Sequence, residues 1–131
     1  MHQSITIQAE DLGKFALAKS RELDKLNPKE LLLYSTAYCA ALTLKGILDK
    51  EHIVPKQFEI EMMGEIDTDE VTARSIYLNF NILYRIECSS IGEQTKIARA
   101  VNLTTEKYCG MLKMLRRIAP LSHEVSIVST Q

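Results

Sequence analysis

Three cysteines, Cys39, Cys88 and Cys109, are the residues of this chain best suited to chemistry. An ionised thiol is a nucleophile, a metal ligand or one half of a redox couple. Their settings differ. Cys39 lies inside an apolar run, where a small hydrophobe of a core is the plain reading. Cys109 falls one turn into a helix expected to start near Thr104 or Thr105, where free backbone N–H groups and the helix dipole favour the thiolate. Spacing alone accommodates a structural cysteine there equally well. Cys88 closes a strand ahead of Ser89-Ser90 with no motif around it.

Other chemistries find little support. The sequence holds no glycine-rich phosphate loop, no Gly-x-Ser-x-Gly elbow, no His-Glu-x-x-His and no Cys-x-x-Cys. His2, His52 and His123 are scattered and read as surface or turn residues, so no metal and no cofactor is expected. The carboxylates Glu59 and Glu61 read as a solvated strand face, and Asp67, Asp69 and Glu70 as a turn. Sixteen Lys and Arg against seventeen Asp and Glu give a net charge of -1, with no basic run to gather phosphates, which argues against nucleic acid. The start, Met1-His2-Gln3-Ser4, shows no basic stretch followed by an apolar run, so a cytoplasmic, reducing setting with free thiols is expected.

The elements that must position these thiols can be read from hydrophobic period. With 131 residues, 46% hydrophobic and 25% charged, the chain has material for one domain with a buried core. Ile5, Ile7 and Ala9 alternate with polar residues, and Phe15 and Leu17 repeat the pattern after Asp11-Leu12-Gly13, predicting two short strands within residues 1–26. Asn27-Pro28 starts a helix, Asn27 as cap and Pro28 at the first position, running to Asp49 or Lys50. Phe58, Ile60 and Met62 then share one strand face. Ile76, Leu78, Phe80, Ile82, Tyr84 and Ile86 share one face of a longer strand, paired antiparallel with the first across the turn at 67–72. Helical spacing returns at 93–101, and again at Tyr108, Met111, Leu112, Leu115 and Ile118, ended by Pro120. Val125 and Ile127 make a last strand. The expected fold is α+β, in the order ββ-α-ββ-αα-β.

The segment from Leu31 to Leu44 carries no charge, but it spans about 14 residues, short of the roughly 20 needed to cross a bilayer. A buried helix is the expectation, not a membrane span. Its apolar residues cover most of its circumference, so it needs cover on several sides. A chain this short that also builds a sheet has little left to supply that cover, which predicts a homodimer, the alternative being that the chain's own sheet and C-terminal helices suffice.

At the two cysteines the sequence resembles the OsmC/Ohr superfamily, named for osmotically inducible protein C and organic hydroperoxide resistance protein. Asn27-Pro28-Lys29-Glu30-Leu31, followed by Tyr38-Cys39-Ala40-Ala41, is similar to the family's Asn-Pro-Glu-x-Leu and the alanine-rich helix bearing its first cysteine. The run Ala98-Arg99-Ala100-Val101-Asn102-Leu103-Thr104-Thr105-Glu106-Lys107-Tyr108-Cys109 is similar to the segment of the second, closest to the short YhfA-like branch. The resemblance covers about residues 27 to 128 of a single OsmC-like domain, residues 1–26 matching weakly. Three positions depart from the family pattern: Lys29 stands where the family has glutamate, with Glu30 one place later, Gly110 follows Cys109 where proline is usual, and Arg21 is the only arginine before the first helix.

The resemblance implies an intertwined homodimer with its long central helices sandwiched by sheets and both cysteines near the interface. It implies a peroxidase in which Cys39 attacks an organic hydroperoxide, Cys109 resolves the sulfenic acid as a disulfide, and a small dithiol reduces that disulfide. Arg21 and Glu30 are then the activating pair. Arg21 on its own reads equally as a solvated hairpin residue. A binding module of the same fold, holding an apolar or thiol compound at the interface, is the alternative reading, with a redox sensor between the two.

Overall fold

The computed structural model describes residues 1–10 and 14–130. The expected turn at Asp11-Leu12-Gly13 lies outside the described residues. Strands β1 (His2–Ala9) and β2 (Phe15–Leu17) form the expected hairpin, with Ile7 opposite Leu17 and Ala9 opposite Phe15. A 3₁₀ turn at Leu23–Lys25 leads into helix α1 (Pro28–Lys50). Strands β3 (Gln57–Ile66) and β4 (Tyr77–Cys88), helix α2 (Ile91–Leu103), a π-helical turn (Thr104–Tyr108), helix α3 (Gly110–Arg116) and strand β5 (Leu121–Ser129) complete the chain. The strands make one sheet in the order β2-β1-β3-β4-β5, all neighbours antiparallel except β4 and β5. The fold is α+β, with the expected element order. The final strand is longer than Val125 and Ile127 suggest, because parallel pairing with β4 runs from Leu121 to Ser129.

Helix α1 begins as its sequence dictates. Asn27 Oδ1 accepts from the Glu30 N–H at 2.9 Å while Glu30 Oε1 accepts from the Asn27 N–H at 3.1 Å, a reciprocal cap with Pro28 just inside it. By length and composition alone the helix could cross a membrane. Its side chains place it elsewhere: Leu33, Ala37, Ala40, Ala41, Leu44 and Leu48 are buried in one core with Ile5, Ile7, Ile60 and Ile82 of the sheet. Each buried leucine there contributes about 1.5–3 kcal/mol. The alanines let the helix lie close against the strands. One stripe stays open, and on it Leu31 and Leu42 keep 40% and 49% of their surface exposed.

The sheet corrects one sequence reading. Ile76 and Leu78 do not share the core face with Phe80: they are 60% and 52% exposed, and Tyr77 is buried instead. The register between β3 and β4 slips at Glu65/Ile66, where Ile66 faces Tyr77 and Glu65 faces Asn79, leaving Leu78 as the extra residue. A one-residue slip exchanges the two faces of a strand. The Tyr77 ring then lies over Gly64, where a Cβ would come within 2.5 Å of it. Its hydroxyl donates to the Lys29 carbonyl at 2.7 Å and lies 3.1 Å from Gln3 Oε1, tying β4 to the first turn of α1.

Candidate active site

Cys39 stands in the middle of α1, half-buried at the border between the packed face and the open stripe. Its neighbour Tyr38 is held edge-on by Phe15 at 6.2 Å and tilted against Tyr34 at 5.8 Å, an aromatic row that fixes this stretch of the helix against β2. Across from it lies Cys109, fully buried, its thiol donating to the Cys39 sulfur at 3.3 Å. The two residues are 70 apart in sequence. A disulfide needs the sulfurs about 1.3 Å closer, a movement within reach of side-chain rotation and a small backbone shift.

Cys109 is not one turn into a helix, as its sequence context predicts. It is the cap between the π turn and α3, with extended backbone at φ -81° and ψ 108°, and it is Cys109, Leu112 and Leu115 that face the core. Tyr108 and Ile118, expected on that stripe, are exposed. The N–H groups of Leu112 and Met111 at the start of α3 do favour the Cys109 thiolate, as expected, but burial acts against them. Burial pushes the Cys109 thiol up from its ordinary 9.0 to about 12, outweighing the backbone N–H of Leu112, with the Cys39 sulfur adding to the rise. At neutral pH the proton therefore stays on Cys109, where it serves the hydrogen bond to Cys39.

This proton has a consequence for stability. The unfolded thiol releases it near 9.0 while the folded one holds it to about 12, so between those values the unfolded state binds fewer protons and stability falls as pH rises. Tyr77 and Tyr84, both raised chiefly by burial, act in the same direction at higher pH. We expect a lower denaturant midpoint at about pH 10.5 than at about pH 8, with a smaller drop in Cys109→Ala. Equal drops in the two proteins would refute the assignment to Cys109.

Arg21 and Glu30, the other two sequence candidates, meet one another: Arg21 Nη2 donates to Glu30 Oε2 at 2.5 Å and Nη1 to the Ser4 carbonyl at 3.2 Å. The same carboxylate thus serves the helix cap and the arginine. Nine residues of helix separate Glu30 from Cys39, about 13.5 Å along the axis and half a turn around it. Within one chain the structure brings the candidates together as two pairs, not as one cluster. Cys88 belongs to neither, its buried thiol donating to the Ser90 carbonyl at 3.4 Å.

The sequence reading missed a group behind Cys109. Tyr84, at the centre of β4, is fully buried, with its hydroxyl 2.8 Å from Thr105 Oγ1. Thr105 donates its single proton to the Val101 carbonyl at 2.8 Å, so Tyr84 is the donor of the pair. Arg116 Nη2 donates to the Thr105 carbonyl at 2.6 Å and lies 3.5 Å from the Glu106 carboxylate. The only trace of this arrangement in the sequence is the β-branched pair Thr104-Thr105 late in a helical run. Glu59 and Glu61 are likewise not simply solvated, since Arg85 bridges them at 2.6 and 2.5 Å.

Among the described residues no group of three or more His, Cys, Asp or Glu is placed to hold a metal ion. A cavity of about 1000 Å³ lies at the far end of α1, between Phe15, Leu48, Ile53 and Phe58, and includes neither Cys39 nor Cys109. The candidate site is the cysteine pair, with Cys39 half-buried and Cys109 buried. It can exchange two electrons between dithiol and disulfide.

Comparison with known proteins adds to this geometry. The model of the family described as OsmC-like protein matches residues 20–124. Protein YhfA of Escherichia coli K12 is 24% identical over 103 residues, 79% of this chain and 74% of its own length. Among solved structures, a protein of Aquifex aeolicus VF5 is similar with a TM-score of 0.68 and 24% identity, covering 100% of this chain and 98% of its own. The organic hydroperoxide resistance protein OhrB of Bacillus subtilis is similar with a TM-score of 0.54 and 16% identity, covering 96% and 98%. These likenesses carry the fold.

Proposed function

Because this chain belongs to the OsmC-like protein family, we propose that it is a thiol-dependent peroxidase that reduces organic hydroperoxides through Cys39 and Cys109. The observation that carries this reading is the pair itself: a half-buried sulfur 3.3 Å from a fully buried thiol. Cys39, the less buried residue of the pair, attacks the terminal peroxide oxygen. The O–O bond breaks, its electron pair leaves with the alkoxide, and protonation releases an alcohol. Cys39 is then a sulfenic acid. Cys109 attacks that sulfur, the S–O bond breaks, and the Cys109 proton leaves with the hydroxide as water. A small dithiol returns the disulfide to two thiols, as the reducing cytoplasm allows. Structural neighbours named for hydroperoxide resistance support the substrate class.

The reading includes a homodimer. Leu31 and Leu42, exposed on the one open stripe of α1, call for a second copy, and Cys39 sits at the edge of that stripe. A second copy is also the source from which an Arg21–Glu30 pair would reach Cys39, since the pair in the same chain lies half a helix away. Light scattering at micromolar concentration should read twice the mass of one chain. A folded monomer would remove both the cover and the activating pair from the proposal.

The function is tested by peroxide consumption with dithiothreitol as reductant. Tyr38 and Leu42, one and three residues from Cys39 on α1, give the site apolar surface, and each methylene buried against it is worth about 0.8 kcal/mol. Cumene hydroperoxide should therefore be consumed at a kcat/KM at least about tenfold above that for hydrogen peroxide. Consumption of neither, with an intact dithiol pair, would transfer the site to the second reading, a binding module of the same fold.

A further inference from the structure

Why the Cys109 sulfur points at Cys39 is answered by the backbone before it. In an α-helix the Cys109 N–H would bond to the carbonyl four residues back, at Thr105. Here it bonds to the Thr104 carbonyl at 3.0 Å, five residues back, and residues Thr104–Tyr108 form a π turn. The wider turn has two costs. It takes the helical donor away from the Thr105 carbonyl, and within it Thr104 Oγ1 is buried with no hydrogen-bond partner among the described residues. A turn with an orphaned carbonyl would relax to the α register, and that change of register would rotate Cys109 about the helix axis by roughly 100° per residue.

Arg116 fills the vacancy. It sits in the last turn of α3, and its Nη2 donates to the Thr105 carbonyl at 2.6 Å, replacing the lost Cys109 N–H. Glu106, inside the π turn, holds the same guanidinium at 3.5 Å, and His123 of β5 lies 3.8 Å from Glu106. From the other side, Tyr84 fixes Thr105 through its hydroxyl. We propose that Arg116 is a positioning residue, which holds the 104–108 turn in the π register and so keeps Cys109 facing Cys39 for disulfide closure. The proposal rests on the cysteine-pair reading above and adds to it a residue outside the pair.

The test measures closure and not turnover. Wild type, Arg116→Met, Arg116→Lys and Glu106→Gln are equilibrated with mixtures of reduced and oxidised dithiothreitol. The Cys39–Cys109 disulfide is then quantified by peptide mapping. The two protein thiols give two electrons and two protons to oxidised dithiothreitol, which becomes the dithiol, so no peroxide is needed. Arg116→Met should disfavour the protein disulfide about tenfold, whereas Arg116→Lys, whose ammonium can still donate to Thr105, should stay within about threefold of wild type. Glu106→Gln should move it about threefold in the same direction as Arg116→Met. Backbone resonances give the signature that a general structural role would not: in Arg116→Met the Cys109 amide should move from the Thr104 to the Thr105 carbonyl and shift with residues 104–108, while the amides of β4 keep their exchange protection.

An unchanged disulfide equilibrium in folded Arg116→Met overturns the proposal, as does a wild type that forms no Cys39–Cys109 disulfide. If Arg116→Met does not fold, Glu106→Gln decides, and an unchanged equilibrium with an unchanged Cys109 amide overturns it. Wild type that closes the disulfide with the expected Arg116 dependence, yet consumes no hydroperoxide, refutes the peroxidase alone. Wild type that consumes hydroperoxide beside an Arg116→Met variant of unchanged equilibrium refutes the positioning role alone.

Discussion

Cys39→Ser should lower dithiol-dependent consumption of cumene hydroperoxide by at least about a thousandfold, to the rate of buffer. An alcohol replaces the thiol of the less buried residue of the pair, and a hydroxyl cannot be oxidised to a sulfenic acid and reduced back. The remaining sulfur cannot stand in for it. Cys109 is fully buried and its thiol holds its proton to about 12, so at neutral pH almost none of it is the reactive thiolate. The fold should be little changed, because Cys39 is not part of the fully buried set on α1 and serine is nearly its size. Wild type and variant consuming the peroxide at the same slow rate would sink the peroxidase reading. An unaltered rate in the variant with a fast wild type would move the attacking role to Cys109, against the burial seen there.

Much of this site was legible in the sequence, for reasons that differ from residue to residue. The Asn27-Pro28 cap and the uncharged run after it define α1 to its observed end at Lys50, because local hydrogen bonding and helix period act within a few residues. The two cysteine contexts were legible through resemblance alone, since nothing in the chain between residues 70 apart says that their sulfurs meet. What escaped depended on hydrogen-bond register. The extra residue at Leu78 turns Ile76 outward and Tyr77 inward although the alternation of apolar residues runs on unbroken. Apolar residues on both faces hide such a slip. The π turn has the same effect on the helical stripe: Tyr108, Met111, Leu112, Leu115 and Ile118 fit the 3.6 period, but the extra residue in the turn brings Cys109 to the core beside Leu112 and Leu115 and leaves Tyr108 and Ile118 exposed. Period-based reading assumes an unbroken register, and both breaks lie next to groups that matter: Tyr77 on the first turn of α1, Cys109 on Cys39.

Cys109→Ser should leave the first oxidation intact and remove everything after it. Cys39 remains half-buried and open to the peroxide, so one equivalent should be reduced per site, in a burst. The sulfenic acid then faces a hydroxyl where a thiol stood at 3.3 Å, and no intramolecular disulfide can form. Holding a thiol at that distance is worth an effective concentration far above any free dithiol in solution, on the order of 10⁵ M for well-oriented groups. Steady turnover with a small dithiol should therefore fall by about a hundredfold or more, limited by direct attack of the reductant on the sulfenic acid. A second molecule of peroxide now competes for that sulfur. Mass spectrometry of Cys109→Ser after excess peroxide should show Cys39 gaining two oxygens as sulfinic acid, while wild type shows a loss of two hydrogens and a peptide linking Cys39 to Cys109. The order of events is what this comparison decides. Burst, then over-oxidation, places Cys39 first and Cys109 second. A variant that turns over at the wild-type rate would make Cys109 a core residue that happens to touch Cys39, and the buried proton near 12 would then be a matter of stability alone.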